Sequence, residues 1–291
     1  MRGIPHDRNN CLTVFLFSML FFVYLFSGSE VVFANDLGLI EAQALNQHIS
    51  DWVILDARPK PEWMSGHIPG ALSFSWEDYT RTDEHGIPYR VWTPQEIAKA
   101  LGGMGIDDKT PVVVYGDADI SWGGEGWNCW VLSWLGHTKP IRMLDGGIQA
   151  WKNNRFPLKQ GEENTKRNHV QYKFKLNPHI DIATSEIENQ KTNLVLVDTR
   201  STLEWFKGKI PGAIHIPWDD FFSGNERRPL HPDALKKLLK KKGVDTNKTI
   251  VYYCTGGIRS AYAWFVHELS GLTSAKNYEG GYEAWKRREL K

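Results

Sequence analysis

A thiol, two glycines and a guanidinium lie within six residues of the stretch "YYCTGGIRSAY". Cys254 follows an apolar, β-branched run and precedes a helical pattern, so we expect it where a strand gives way to a helix. Gly256 and Gly257 tolerate the backbone angles that turn N–H groups inward, and the helix start adds partial positive charge. Arg259 adds a full positive charge. Together these features favour a nucleophilic thiolate at Cys254, or an anion attached to it.

The spacing between Cys254 and Arg259 suggests the size of the guest that the loop can hold. Cysteine phosphatases use Cys-x5-Arg to surround a phosphoryl group, whereas four residues separate Cys254 from Arg259 here. A shorter ring fits a smaller guest, such as one additional sulfur atom. We expect the hydroxyl of Ser260 to cap the following helix. The candidate binding residues are therefore Thr255, Gly256, Gly257, Ile258, Arg259 and Ser260.

The chain contains one unit twice, which identifies the elements that must position Cys254. Three pairs of segments match in the same order: Val53–Leu72 with Val195–Ile214, Gly105–Gly116 with Gly243–Cys254, and Leu144–Lys152 with Tyr278–Lys286. Both units alternate short apolar runs with helical patterns, as parallel α/β structures do. We therefore predict two tandem α/β domains, each a parallel sheet flanked by helices on both faces.

Particular segments support this α/β prediction. The continuous apolar runs Val112–Tyr115 and Ile250–Tyr253 are typical of buried parallel strands. Amphipathic patterns predict helices over Pro94–Ile106 and His231–Val244. The lysines of the second helix are interpreted as its solvated face.

The two units differ at the position of the thiol. Gly116 stands where the second unit has Cys254, and the following "DADISWGGEGW" has three acidic residues and no Arg. Negative charge would repel an anionic donor, so the first unit is predicted to be catalytically inactive. Its expected role is to form a wall of the cleft and to shape access to Cys254.

The N-terminus has a basic, then apolar, then small-residue order that is typical of a secretory signal peptide. We expect cleavage after Ala34 and a periplasmic or secreted protein with no stable membrane span; an uncleaved N-terminal anchor is the alternative. The predicted divisions are a signal peptide at 1–34, an inactive domain at 36–160, a linker at 161–175 and a catalytic domain at 176–291.

Composition limits the function classes. The formal net charge of +1 gives no basis for nucleic-acid binding. The mature chain would keep only Cys129 and Cys254, which is not a disulfide framework. Cys129 aligns with Ala263 and is interpreted as a small core residue. The ten His show no paired ligand spacing, so no metal site is assigned.

These motifs resemble the rhodanese family of sulfurtransferases across nearly all of residues 36–291. The similar features are the Asp-x-Arg strand ends, the Ile-Pro-Gly-Ala segments, the Cys-x4-Arg loop and the Gly-Gly-x-x-Ala-Trp elements. The resemblance implies that Cys254 takes sulfur from thiosulfate or a related donor and carries it as a persulfide. Cyanide or a thiol then accepts the sulfur, and no cofactor is required.

Some positions remain open to two interpretations. Asp198 and Arg200 are candidates for supporting the site from behind the loop, since such residues more often brace strand ends and loops than touch a substrate. Trp76 and Trp218 are interpreted as packing residues, with the alternative that one of them lines the cleft. Where animal-type relatives carry a donor-binding Arg, the segment Ser201–Lys209 has Glu204, and Lys207 or Lys209 is a candidate substitute.

Thiosulfate is favoured over mercaptopyruvate, because the loop of mercaptopyruvate enzymes lacks an Arg at this position. The alternatives to sulfur transfer are a phosphatase or arsenate reductase on the same scaffold, and a non-enzymatic binding module. No protein partner is predicted.

Overall fold

The computed structural model describes residues 36–163, 167–190, 192–273 and 275–288. The predicted signal peptide at 1–34 lies outside these residues. Among the residues that are described, no helix is both long and apolar enough to cross a membrane. We call residues 36–160 the first half and residues 176–288 the second half.

The first half is built on one five-stranded sheet. Its strands are β1 (Leu37–Ile40), β2 (Val53–Asp56), β3 (Leu72–Ser73), β4 (Thr80–Arg81), β5 (Arg90–Val91), β6 (Val112–Tyr115) and β7 (Ile141–Leu144). Its helices are α1 (Ala42–Gln47), α2 (Lys60–Ser65), α3 (Trp76–Tyr79), α4 (Pro94–Gly103), α5 (Ala118–Ser121), α6 (Gly124–Trp134) and α7 (Gly147–Asn153), with a 3₁₀ helix at Ile49–Asp51. The sheet has the order β1-β7-β6-β2-β3, with parallel pairing throughout, and β4 and β5 form a separate antiparallel hairpin.

The second half repeats this plan with four strands in its main sheet. Its strands are β8 (Leu194–Asp198), β9 (Ile214–His215), β10 (Phe222–Ser223), β11 (Arg228–Pro229), β12 (Thr249–Tyr253) and β13 (Lys276–Asn277). Its helices are α8 (Thr184–Asn189), α9 (Thr202–Lys207), α10 (Pro232–Lys241), α11 (Ile258–Glu268) and α12 (Gly281–Arg287), with a 3₁₀ helix at Trp218–Phe221. The sheet order is β13-β12-β8-β9, all parallel, and β10–β11 is the second hairpin.

Alternate residues of the central strands pack against helices on opposite faces of each sheet. In β12, Tyr252 belongs to the core that contains α10 and α11, whereas Val251 and Tyr253 pack with α12 on the other face. The side-chain period of two along a strand produces this division. The prediction of parallel sheets covered on both faces is confirmed.

The two halves share one core, in which α6 of the first half lies against α11 of the second. Trp127 and Trp130 of α6 belong to the same buried cluster as Phe265 of α11. The close approach depends on Gly126, since a Cβ there would lie 2.3 Å from the Cα of Tyr262. This packing brings the carboxyl end of β12 to face the first half.

Candidate active site

The carboxyl end of β12 delivers Cys254 into a loop that closes on the second half's own backbone. The carbonyl of Cys254 accepts a hydrogen bond from the N–H of Tyr282 at 2.8 Å. Gly257 has φ +84°, and a Cβ there would lie 2.6 Å from the carbonyl oxygen of Glu279. Glycine is required at this position by both the backbone angle and the close approach.

Gly257, rather than Ser260, precedes the helix, so the predicted cap is wrong. Helix α11 begins at Ile258, and Ser260 lies within its first turn. The buried Ser260 hydroxyl donates to Asn277 Oδ1 at 2.6 Å, and Asn277 Nδ2 donates to the carbonyl of Gly257 at 3.1 Å. The left-handed glycine starts the helix earlier than the serine pattern suggests. The N–H groups of the first turn have no acceptor within the helix, and they can bind an anion.

Arg259 is held by a carboxylate that the sequence interpretation treated only as a departure from the family pattern. Its NH1 donates to Glu204 Oε2 at 2.8 Å, and its NH2 donates to Glu204 Oε1 at 2.8 Å. The same NH2 donates to Thr255 Oγ1 at 2.8 Å, and that hydroxyl donates to Glu204 Oε1 at 2.7 Å. The guanidinium that adds the expected positive charge is thus paired with Glu204 in a bidentate manner.

This pairing sets the ionisation of both partners. Burial opposes the charged form of Glu204, but hydrogen bonds from Arg259 and Thr255 outweigh it and hold the pKa of that carboxyl well below its ordinary value. Burial likewise opposes the Arg259 cation, and Glu204 outweighs it and raises the pKa of the guanidinium. Both groups are therefore charged throughout the neutral range.

A cleft of about 440 Å³ opens above Cys254 between the two halves. Its described lining residues are Trp76, Glu77, Tyr89 and Trp122 from the first half, and Glu204, Cys254, Thr255, Gly256, Ile258 and Arg259 from the second. Cys254 itself is only 2% exposed, so its thiol is reached through this cleft. Five of the predicted site residues meet here, while Gly257, Ser260, Asp198 and Arg200 do not line it.

The first half completes the catalytic loop through its β4–β5 hairpin. Tyr89 covers Gly256 so closely that a Cβ on the glycine would lie 2.4 Å from the Cβ of Tyr89. The next residue, Arg90, forms an ion pair with Glu279, which is 4% exposed. Glu279 also accepts from the N–H of Val91 at 2.7 Å. The hairpin therefore contacts the loop directly at Gly256, through Tyr89. It also contacts Glu279, whose backbone packs against Gly257.

Asp198 and Arg200 brace the site without entering it. Arg200 donates to both oxygens of Asp198 and, through NH2, to the carbonyl of Gly208 at 2.6 Å. Its guanidinium lies 4.0 Å from the ring centre of Tyr282. The matching Arg58 makes the same bonds to Asp56 and to the carbonyl of Gly66 in the first half. Their presence in both halves fits a structural role.

The candidate substitutes for a donor-binding arginine do not line the cleft. Lys209 Nζ lies 4.2 Å from the ring centre of Trp205, and Lys207 is exposed on α9. Trp76 lines the cleft, which was the alternative to a packing role for this residue. Sequence reasoning also missed Glu77, Tyr89 and Trp122 as site residues.

The equivalent place in the first half is filled by a carboxyl group. A Cβ on Gly116 would lie 2.2 Å from Glu125 Oε2 and 2.6 Å from Ser121 Oγ. Ser121 Oγ donates to Glu125 Oε2 at 2.7 Å, and burial raises the pKa of Glu125 to about 7. This geometry leaves no room for a thiol at position 116, which supports the predicted inactivity of the first half.

Comparison with known proteins gives a consistent family. The family model of the rhodanese-like domain matches residues 41–154 and 182–288. The 3-mercaptopyruvate sulfurtransferase of Mus musculus is 28% identical over 77% of this chain and 78% of its own length. A Haloferax volcanii protein, provisionally named as a thiosulfate sulfurtransferase, is 30% identical over 75% of this chain and 80% of its own length.

Solved structures share the fold at lower sequence identity. A 3-mercaptopyruvate sulfotransferase from Escherichia coli matches with a TM-score of 0.75 and 22% identity, covering 84% of this chain and 98% of that one. An anaerobic ergothioneine biosynthesis enzyme from Chlorobium limicola matches with a TM-score of 0.77 and 23% identity, covering 86% of this chain and 68% of that one.

Proposed function

The chain belongs to the rhodanese family, and from that premise we propose that it is a sulfurtransferase in which Cys254 carries the transferred sulfur as a persulfide. The observation that carries this proposal is the position of Cys254. Cys254 lines a cleft and directly precedes the Thr255–Arg259 loop, which leads into the start of α11. The N–H groups at a helix start can bind an anion. The named relatives share sulfur transfer, although their donors differ.

The reaction consists of two displacements at sulfur. The Cys254 thiolate attacks the outer sulfur of thiosulfate or a related donor, and the bond between the two donor sulfurs breaks, with its electron pair leaving on sulfite. The terminal sulfur of the resulting persulfide carries negative charge, which the loop N–H groups and Arg259 stabilise. Cyanide or a thiolate then attacks this outer sulfur, and the electron pair of the broken bond returns to Cys254.

The proposal is tested by thiocyanate formation from thiosulfate and cyanide. Cys254→Ala is expected to reduce turnover to the uncatalysed rate. Cys129→Ala is the matched control, because Cys129 is buried and the second half carries alanine at the equivalent position, Ala263. Equal activity in Cys254→Ala and the natural protein would overturn the proposal. Hydrolysis of an aryl phosphate that depends on Cys254, without any sulfur transfer, would support the phosphatase alternative.

A further inference from the structure

Three aromatic rings from the first half form one wall of the cleft above Cys254. The ring centres of Trp76 and Tyr89 lie 6.0 Å apart in an edge-to-face arrangement. Trp76 Nε1 donates to the carbonyl of Ser121 at 3.2 Å, which ties it to the turn that presents Trp122. Trp122 is 51% exposed and Tyr89 is 39% exposed, and both line the cleft. Trp122 also stacks with Trp218, with ring centres 6.4 Å apart, so the ring is held in place from one side.

The backbone is strained where it presents two of these rings. Tyr89 has φ +64° and Trp122 has φ +54°, a left-handed conformation that bulky residues rarely adopt. Such strain persists where the surrounding structure holds it, often at ligand sites. Two strained aromatic residues on one wall point to a ligand that needs their faces.

The charged side chains that line the cleft indicate which ligand charge it favours. Among the described lining residues, Glu77 and Glu204 carry carboxylates, whereas Arg259 is the cation and is already paired with Glu204. Glu77 is exposed at the cleft mouth beside Trp76. The lining therefore has an excess of negative charge next to three aromatic faces.

Aromatic faces beside a carboxylate attract organic cations, especially quaternary ammonium groups. We propose that the physiological sulfur acceptor of this cleft is a thiol that bears an organic cation, held by Trp76, Tyr89, Trp122 and Glu77. This inference rests on the proposed function, since it names the acceptor for the Cys254 persulfide. The thiolate of the acceptor attacks the outer sulfur, the bond to Cys254 Sγ breaks, and the acceptor leaves as a persulfide while Cys254 regains its thiolate.

Single-turnover clearance of a preformed Cys254 persulfide tests the proposal. Three small thiols differ in charge: thiocholine is a quaternary ammonium, 2-mercaptoethanol is neutral and 3-mercaptopropionate is an anion. Each rate constant is first divided by the fraction of the thiol that is ionised. It is then divided by the rate constant of the same thiolate with a small persulfide in solution, which corrects for differences in intrinsic nucleophilicity. We expect a normalised rate at least about tenfold higher for thiocholine than for 2-mercaptoethanol, with 3-mercaptopropionate slowest.

Substitutions in the cleft wall test whether these residues cause the preference for the cationic thiol. Trp122→Leu and Glu77→Gln are each expected to reduce the ratio of thiocholine to 2-mercaptoethanol rates at least about threefold. Glu84→Gln is the matched control, because Glu84 is exposed and does not line the cleft. It should leave the ratio unchanged, and so it controls for the loss of one surface carboxylate.

Binding without chemistry gives an independent measurement on the natural protein. Choline and 3,3-dimethyl-1-butanol have nearly the same shape, but only choline is charged. Calorimetry should detect binding of choline and not of the neutral alcohol, with weaker choline binding in Trp122→Leu.

The possible results separate this inference from the proposed function. Equal normalised rates for the three thiols, or equal binding of choline and its neutral isostere, would overturn the cation inference and leave persulfide transfer intact. Failure of any donor to load Cys254 would overturn the proposed function, and choline binding would still decide whether the cleft recognises cations.

Discussion

At the residue scale, the ion pair between Glu204 and Arg259 reduces the positive charge that the cleft offers to an anionic donor. Arg259 was expected to contribute a full positive charge to the loop. Both of its terminal nitrogens instead donate to Glu204, so the field that reaches a donor is reduced. Glu204 is about one-third exposed, so solvent screens part of this effect.

We predict that Glu204→Gln improves the use of thiosulfate. The amide keeps one acceptor for Arg259 but removes a negative charge beside the dianion. An increase of roughly threefold to tenfold in kcat/KM is expected, or about 0.7–1.4 kcal/mol in transition-state stabilisation. Steady-state kinetics measure it, with Glu62→Gln as the control at the matching position of the first half. A fall in kcat/KM with Glu204→Gln would mean that the carboxylate assists the reaction.

The sequence predicted the Cys254–Arg259 loop but not that Glu204 is the partner of Arg259. Cys254, Gly257 and Arg259 could be identified because the chemistry of a thiol, a left-handed glycine and a cation is local. Glu204 is 55 residues away from Arg259 along the chain, and only the placement of α9 brings them together. Tyr89 and Trp122 were missed for the same reason, since they reach the cleft from the other half.

At the element scale, each half extends a short hairpin to the other. The β4–β5 hairpin places Arg90 on Glu279, immediately before Gly280 and Gly281. The β10–β11 hairpin places Arg228 on Asp145, at the equivalent position of the first half, with a separation of 2.5 Å. The first contact supports the loop that carries Cys254, whereas the second supports the half that has Gly116 at the equivalent position.

Matched substitutions in the two hairpins should separate stability from activity. Arg90→Met and Arg228→Met each leave a buried or half-buried carboxyl group without its cation. Each arginine is about one-third exposed, so we expect a moderate loss of about 1–3 kcal/mol in the free energy of unfolding. Only Arg90→Met should slow persulfide transfer, by about tenfold or more, because Glu279 contacts Gly257.

Denaturant titration and thiosulfate–cyanide kinetics measure the two effects. Equal loss of activity in both hairpin variants would indicate that the hairpins act through global stability alone. The tandem repeat predicted the two main sheets. The hairpins that each half extends to the other could not be predicted, because their strands have only two residues each. Such short strands give no periodic pattern.

At the scale of the whole molecule, the halves behave as one folding unit. The buried cluster that contains Trp127 and Trp130 of the first half also contains Tyr262 and Phe265 of the second. We therefore predict one cooperative unfolding transition, with calorimetric and van't Hoff enthalpies that agree. Two resolved transitions in scanning calorimetry would contradict the shared core.

The stability of this unit should depend on pH through Glu125. Burial raises the pKa of Glu125 to about 7, so between roughly pH 4.5 and 7 the folded chain binds more protons than the unfolded chain. Stability attributable to this group is therefore present at low pH and is lost as the pH rises through that window.

Glu125→Gln should remove the contribution of this group, because the neutral amide keeps the Ser121 contact without the cost of burying a charge. Burial also raises the pKa of Glu279 to about 7, so that part of the pH dependence should remain in the variant. At pH 8 the variant is expected to be more stable on the order of 2 kcal/mol, which corresponds to a rise of about 4–8 °C in Tm. At pH 5 the two proteins should melt within about 2 °C of each other. Glu84→Gln serves as the exposed control, and an unchanged difference across this range would contradict the assignment.

The most direct test of the central claim is the intact mass of the protein before and after thiosulfate. We predict a gain of about 32 Da, the mass of one sulfur atom, on Cys254. Cyanide should reverse the gain, Cys129→Ala should retain it and Cys254→Ala should lack it. A gain that persists in Cys254→Ala, or no gain with thiosulfate or any other sulfane-sulfur donor, would contradict the proposal that Cys254 carries the sulfur.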